Sequence, residues 1–188
     1  PFNATSCYKM FNLYDRVENL NFSRFRTSHV VDMCLMFENW TRVTNIDLSS
    51  FNTENVSDFC AMFNGCNNVQ FINVSSFKTP KVENMSYMFT GCEKLLELSI
   101  TGFSKENLQK ANGMFADCLS LSIINANYKF DLSMLSEDDI SQPMFKDCIN
   151  LTGFSPEHTG IEMAKPKTEG GYFTPKGRKL ENVSLMDL

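Results

Sequence analysis

The sequence predicts an α/β solenoid in which each repeat supplies one short parallel β-strand and one short helix. Methionine-phenylalanine recurs at Met10-Phe11, Met36-Phe37, Met62-Phe63, Met88-Phe89, Met114-Phe115 and Met144-Phe145, with four steps of 26 residues and a last step of 30. A fixed period of about 20 to 29 residues marks units that bury their apolar side only by stacking on one another. Inside each period an alternating apolar triplet is followed by a stripe at helical spacing.

The triplet comes first in each repeat. Val43, Ile46, Leu48 and Phe51 have counterparts in Val17, Leu20, Phe22, Phe25, then Val69, Ile72, Val74, Phe77, then Leu95, Leu98, Ile100, Phe103, and finally Leu121, Ile124, Ala126, Phe130. Apolar-polar-apolar runs such as Ile46-Asp47-Leu48 have the period of two that a half-buried strand requires. Stacked once per repeat, the triplets pair in parallel at a spacing of about 4.8 Å and form one continuous sheet.

The second half of the repeat changes period. Val30, Met33, Met36, Phe37, then Val56, Phe59, Met62, Phe63, then Val82, Met85, Met88, Phe89 fall at i, i+3, i+6 and i+7. That is the stripe of a short amphipathic helix. Thr27, Thr53 and Thr79 stand ahead of it as N-caps. Two residues past the five Met-Phe pairs from Met36-Phe37 onward come Asn39, Gly65, Gly91, Asp117 and Asp147, types that tolerate a left-handed turn and so stop the helix.

The array is assigned to residues 1–156, about six repeats with the first truncated, and residues 157–188 to an irregular C-terminal cap or tail. The last repeat carries an acidic insertion at Ser136-Glu137-Asp138-Asp139, expected as a surface bulge. Proline at Pro156 ends the ladder. Large-to-small changes at Phe2 or Phe173 should cost less than those in mid-array, because end repeats fray.

Composition excludes several functions. Of 188 residues 43% are apolar and 21% charged, and the net charge is −5. Up to residue 156 there are 17 acidic against 12 basic residues, and beyond it 5 of each, so the excess lies in the repeats. An acidic array argues against nucleic acid or anionic lipid as partner. No run approaches the ~18 apolar residues of a membrane span. No basic region followed by an apolar run opens the chain, which does not by itself fix a compartment.

The seven cysteines follow the repeat rather than each other. Cys66, Cys92, Cys118 and Cys148 lie three residues after their Met-Phe, and Cys34 and Cys60 lie two before it. Unpaired thiols acting as small hydrophobes fit this regularity better than disulfides. Trp40 stands in the Cys66 column and should fill a wider gap there.

The run Ile46-Asp47-Leu48-Ser49-Ser50-Phe51-Asn52-Thr53-Glu54-Asn55-Val56, continuing to Met62-Phe63-Asn64-Gly65-Cys66, resembles the repeat of the BspA-like leucine-rich-repeat proteins of bacterial surfaces. The likeness covers about residues 2–154, and Gly170-Gly171-Tyr172-Phe173-Thr174 is similar to the stretch that often succeeds the last repeat in that family. The resemblance implies a right-handed leucine-rich-repeat solenoid, displayed on a bacterial cell surface or secreted and used for adhesion or protein binding. Unlike ordinary leucine-rich repeats, the chain places Phe25, Phe51, Phe77 and Phe103 in the slot of an Asn or Cys. The resemblance supplies no catalytic residue.

The residues themselves offer little chemistry. His29 and His158 are the only histidines, and there is no zinc-protease, phosphate-loop or nucleophile-elbow motif. Repeat-locked cysteines are usually inert, and one thiol per repeat in the Cys66–Cys148 column makes no tetrahedral metal set. No enzyme activity, cofactor or metal is therefore expected. The outward strand column (Asn21, Asp47, Asn73, Ser99 and Asn125) is the candidate site. It reads either as a rigid polar surface for a protein or glycan partner or as a solvated face whose side chains pair with one another.

Eight Asn-x-Ser/Thr sites, at Asn3, Asn21, Asn39, Asn55, Asn73, Asn84, Asn150 and Asn182, disfavour a eukaryotic secretory route, because glycans at Asn21 and Asn73 would crowd the sheet. The expected function is a non-enzymatic binding module, monomeric, on a bacterial surface or secreted. A structural spacer with no ligand of its own is the alternative. A cytoplasmic location stays open because reduced thiols are at home there.

Overall fold

The computed structural model describes residues 5–12, 20–136, 138 and 141–176. Successive repeats lie on one another in register: Ser6 bridges Asp32, Asp32 bridges Asp58, Asp58 bridges Asn84, and Asn84 bridges Lys110, all in parallel. The short strands are β1 (Asn45–Asp47), β2 (Phe71–Asn73), β3 (Glu97–Ile100) and β4 (Ile123–Asn127), followed by β5 (Phe173–Lys176) in the C-terminal segment. Ile46, Ile72, Leu98 and Ile124 point inward from the strands and are buried, as period-two alternation requires.

Two expectations fail here. The first is the helix. Among the described residues there is no α-helix, only two short 3-10 turns at Ile161–Met163 and Lys167–Glu169. The fold is thus not a leucine-rich-repeat solenoid with one helix per repeat. In a helix each N–H binds a carbonyl four residues back in its own segment. Here alternate N–H groups point along the stack instead. Met33, Leu35, Phe37 and Asn39 donate to the carbonyls of Asp58, Cys60, Met62 and Asn64 at 2.8–3.0 Å, and Phe59, Ala61, Phe63 and Gly65 repeat this one level on.

Between those bonds the chain closes three-residue turns, as in Met36 N–H to the Met33 carbonyl and Met62 N–H to that of Phe59. A left-handed residue two before the Met-Phe phenylalanine (Leu35, Ala61 or Tyr87, φ 51 to 60°) breaks any helical run. Another stands two after it, at Asn39, Gly65, Gly91, Asp117 and Asp147 (φ 56 to 72°). Turns chained every three residues also bring i, i+3 and i+6 to one side, which is why the apolar spacing imitates a helix.

The second failed expectation is one continuous sheet. The ladder is divided, with β1 pairing β2 and, separately, β3 pairing β4 and β4 pairing β5, every pair parallel. Leu20-Asn21-Phe22 is described but forms no strand. β5 extends the second sheet through Ile124↔Phe173 to Asn127↔Lys176.

The core consists of stacked aromatic columns. Phe11, Phe37, Phe63, Phe89, Phe115 and Phe145 form one file, with successive ring centroids 5.4–5.8 Å apart and ring planes within 12° of parallel. Phe51, Phe77 and Phe103 form a second file at 6.3 and 6.4 Å. Phe173 does not sit at a fraying end. It is fully buried and touches Phe115, Phe130 and Phe145. Phe2 and Val17, and Glu137 and Asp139 of the acidic insertion, lie outside the described residues.

Polar columns link the levels. Thr27, Thr53 and Thr79 are buried and do not cap helices. Each hydroxyl donates to the carbonyl of a residue in the next repeat (Asn52, Lys78, Ser104) and accepts the N–H of that same residue, at 2.7–3.1 Å. Cys66, Cys92, Cys118 and Cys148 each donate a thiol hydrogen back to the carbonyl of Phe37, Phe63, Phe89 or Phe115 at 3.0–3.3 Å. Trp40 holds that slot in its own repeat, its Nε1–H donating to the Phe11 carbonyl at 2.7 Å. All seven thiols are free. No helix among the described residues is long and apolar enough to cross a membrane.

Candidate binding face

The exposed side of the strands carries two outward columns, because residues two apart share a face. One runs Asn45, Phe71, Glu97, Ile123 and the other Asp47, Asn73, Ser99, Asn125, and the strand registers pair neighbours within each sheet. In the second column Asn73 Nδ2 donates to Asp47 Oδ1 at 2.9 Å. Asp47 Oδ1 also accepts the Ser49 N–H at 3.0 Å, and Asn73 Oδ1 that of Ser75 at 3.1 Å. These local bonds end each strand in an Asx turn. The Ser49 N–H and hydroxyl, together with the Asn73 amide, hold the Asp47 carboxyl below its ordinary range.

The five expected site residues divide accordingly. Asp47 and Asn73 are hydrogen-bonded neighbours, Ser99 and Asn125 are ladder partners, and Asn125 also pairs with Thr174. Asn21 lies outside any strand and is exposed, its Oδ1 accepting the Ser23 N–H at 2.9 Å. Much of the polar column therefore bonds to itself or to the adjoining turn.

At the division between the two sheets the face opens into a groove of about 430 Å³, lined by β2, β3 and the residues flanking them. Phe71 and Leu96, each 53% exposed, supply its apolar surface. Asn45, Gln70, Asn73, Ser75, Ser99 and Asn125 surround them with amides and hydroxyls, and Glu97 is the one carboxylate in the lining. An aromatic plane ringed by neutral hydrogen-bonding groups can stack on a sugar or a side chain while amides fix its orientation. Among the described residues no Lys or Arg belongs to this lining, and a polyanion would find no counter-charge there.

Phe71 and Leu96 are absent from the expected site, yet a signal for Phe71 existed. It precedes the buried Ile72 in a period-two run, so alternation alone turns it outward. His29 is exposed in a separate shallow depression with Val31, Asn55, Ser57, Lys81, Glu83 and Asn107, whose lining contains no cysteine to pair with it. The deep thiols are protected by burial, which pushes Cys66 and Cys148 up to about 12 and Cys92 and Cys118 well above 9. As protonated thiols they are poor nucleophiles.

A family model described as Mycoplasma protein of unknown function, DUF285, matches residues 5–128. No curated protein and no solved structure matches the chain.

Proposed function

The chain belongs to the repeat family DUF285, and from that footing we propose that it is a non-enzymatic binding module whose sheet face engages a protein or glycan on another surface. The observation that carries this reading is the groove at the sheet division, where Phe71 and Leu96 are half exposed among amides and hydroxyls. An exposed aromatic beside an aliphatic costs solvation unless something covers it. Rigid flanking strands lower the ordering cost of docking. Display on a bacterial surface, or secretion, is the setting in which such a face meets a partner.

The test is binding of the purified chain to cell surfaces and to an immobilised glycan array, with Phe71→Ala, Leu96→Ala and Asn73→Ala in parallel. Loss of binding at Phe71→Ala with an unchanged melting curve supports the groove. Retention of binding by all three variants rules the sheet face out.

A spacer role is the second reading, favoured by the Asn73–Asp47 bond and the Asx turns that consume polar groups of the outer column. Absence of binding in every format would favour it.

A further inference from the structure

We propose that Cys34, Cys60 and Asp58 form a site for one thiophilic divalent metal ion, of which zinc is the type. The three residues come from adjacent repeats. Cys34 and Cys60 occupy the same slot 26 residues apart, and the bond from Leu35 N–H to the Cys60 carbonyl (2.8 Å) sets the two levels side by side. One ligand atom from each of the three lies within 4.8 Å of the others, and all three side chains are half-buried, so the group is reachable from solvent. Thiolates around tetrahedral zinc stand about 3.8 Å apart, given Zn–S bonds of about 2.3 Å. The observed spread, within 4.8 Å, is at most about 1 Å wider than that tetrahedral edge.

The surroundings suit a cation. The charges acting on the two thiols are all negative: Cys60, Asp58 and Asp32 on Cys34, and Asp58 and Glu38 on Cys60. Burial and these anions push the Cys34 thiol up to about 12, which disfavours a nucleophilic cysteine, whereas a divalent ion relieves the same repulsion. Asp58 is already oriented, its Oδ1 accepting the Cys60 N–H at 2.6 Å. Such outer bonds hold a ligating carboxylate in place. The next member of the column, Ser86, is buried with its Oγ unpartnered, so the polar file beside the thiols has spare oxygen capacity.

Two thiolates, one carboxylate and a solvent molecule complete a tetrahedral set, the donor mixture that selects zinc over magnesium or calcium. Capture of one ion releases the two thiol protons to solvent, so affinity rises with pH. The ion would join the second and third levels of the stack, which a bound ligand stabilises by mass action.

The experiment titrates cobalt(II) and then zinc(II) into the chelator-treated chain under a phosphine reductant, following the cobalt–thiolate absorption and the melting temperature. The expected result is one equivalent bound, a tetrahedral thiolate band displaced by zinc, and a metal-dependent rise in melting temperature. Cys34→Ser and Cys60→Ser should each abolish the band, and Asp58→Asn should weaken binding about tenfold or more. These variants fit the fold, because the same slots hold Ser86 and Asn84 one level on, and their metal-free melting serves as the control. Absence of a thiolate band at stoichiometric cobalt overturns the assignment, as does a band that survives in the Cys34→Ser/Cys60→Ser double variant. A pair that only cross-links in air, with no metal uptake after re-reduction, overturns it as well.

Discussion

The Thr53 hydroxyl donates to the Lys78 carbonyl at 2.7 Å and accepts the Lys78 N–H at 2.9 Å, so one side chain replaces a backbone partner in the parallel ladder. Thr53 is fully buried. Thr53→Val keeps the shape and takes the partner from the Lys78 N–H and from the Lys78 carbonyl, at up to about 1–3 kcal/mol each. A loss of about 2 kcal/mol or more is expected in urea unfolding, while Thr53→Ser should retain most of the stability. Equal loss in both variants would mean that the methyl group, not the hydroxyl, matters.

The ring files lead to a second expectation. Phe77 stacks on Phe51 and Phe103, and Met88 is fully buried. Phe77→Ala and Met88→Ala should each cost about 3 kcal/mol or more through the cavity they leave. Phe173→Ala belongs in the same class, since its ring is enclosed by three others. A melting shift at Phe173 much smaller than at Phe77 would show that β5 detaches from the stack.

The deep thiols make stability fall in alkali. An unfolded thiol ionises near 9, while folded Cys66 and Cys148 keep their protons up to about 12. Between those values only the unfolded state loses the proton, so the stabilisation present below 9 declines as pH rises towards 12. Unfolding free energies measured across that window should fall, and Cys148→Ala should fall less steeply. For the same reason iodoacetamide at neutral pH should label all seven cysteines slowly in the folded chain and quickly in denaturant.

Gly113 has φ +57°, and a Cβ there would lie 2.8 Å from the Tyr87 ring one level before it. Gly113→Ala should cost about 1–2 kcal/mol from the left-handed conformation alone, with more from the displaced ring. Tyr87→Ala combined with Gly113→Ala should recover only the steric part, which a double-mutant cycle isolates. Strict additivity of the two changes would place the ring elsewhere.

The period, the inward strand residues and the aromatic columns were legible because each depends on spacing alone. Ile46, Ile72, Leu98 and Phe51 lie where alternation and the 26-residue step put them. The second half of the repeat was not legible, since Val56, Phe59 and Met62 satisfy a helix and a chain of three-residue turns equally well. What decides between the two is where the N–H groups go, and that depends on a neighbour 26 residues away. The role of Thr53 is hidden for the same reason, because its partner Lys78 is remote in sequence.

Proximity across the stack also hid chemistry. Cys34 and Cys60 read as separate members of a column until the levels are placed side by side. Phe71 lies outside the expected polar column, although its place before the buried Ile72 in a period-two run already turns it to solvent. Asn21 belongs to the expected column because its triplet imitates the strands, although Leu20-Asn21-Phe22 forms none.

Nearly every interlevel bond joins a residue to one 25 to 29 positions along, from Thr27 with Asn52 to Cys66 with Phe37. Unequal crossing-over that adds or deletes a whole unit of the coding sequence would leave each surviving partner pair correctly matched. A slip inside a unit changes the separation only of the pairs that span it, and the 30-residue step before Met144-Phe145 shows such a length change absorbed while Phe115 still stacks on Phe145. Array length is thus an evolvable quantity in this protein, adjustable in whole steps.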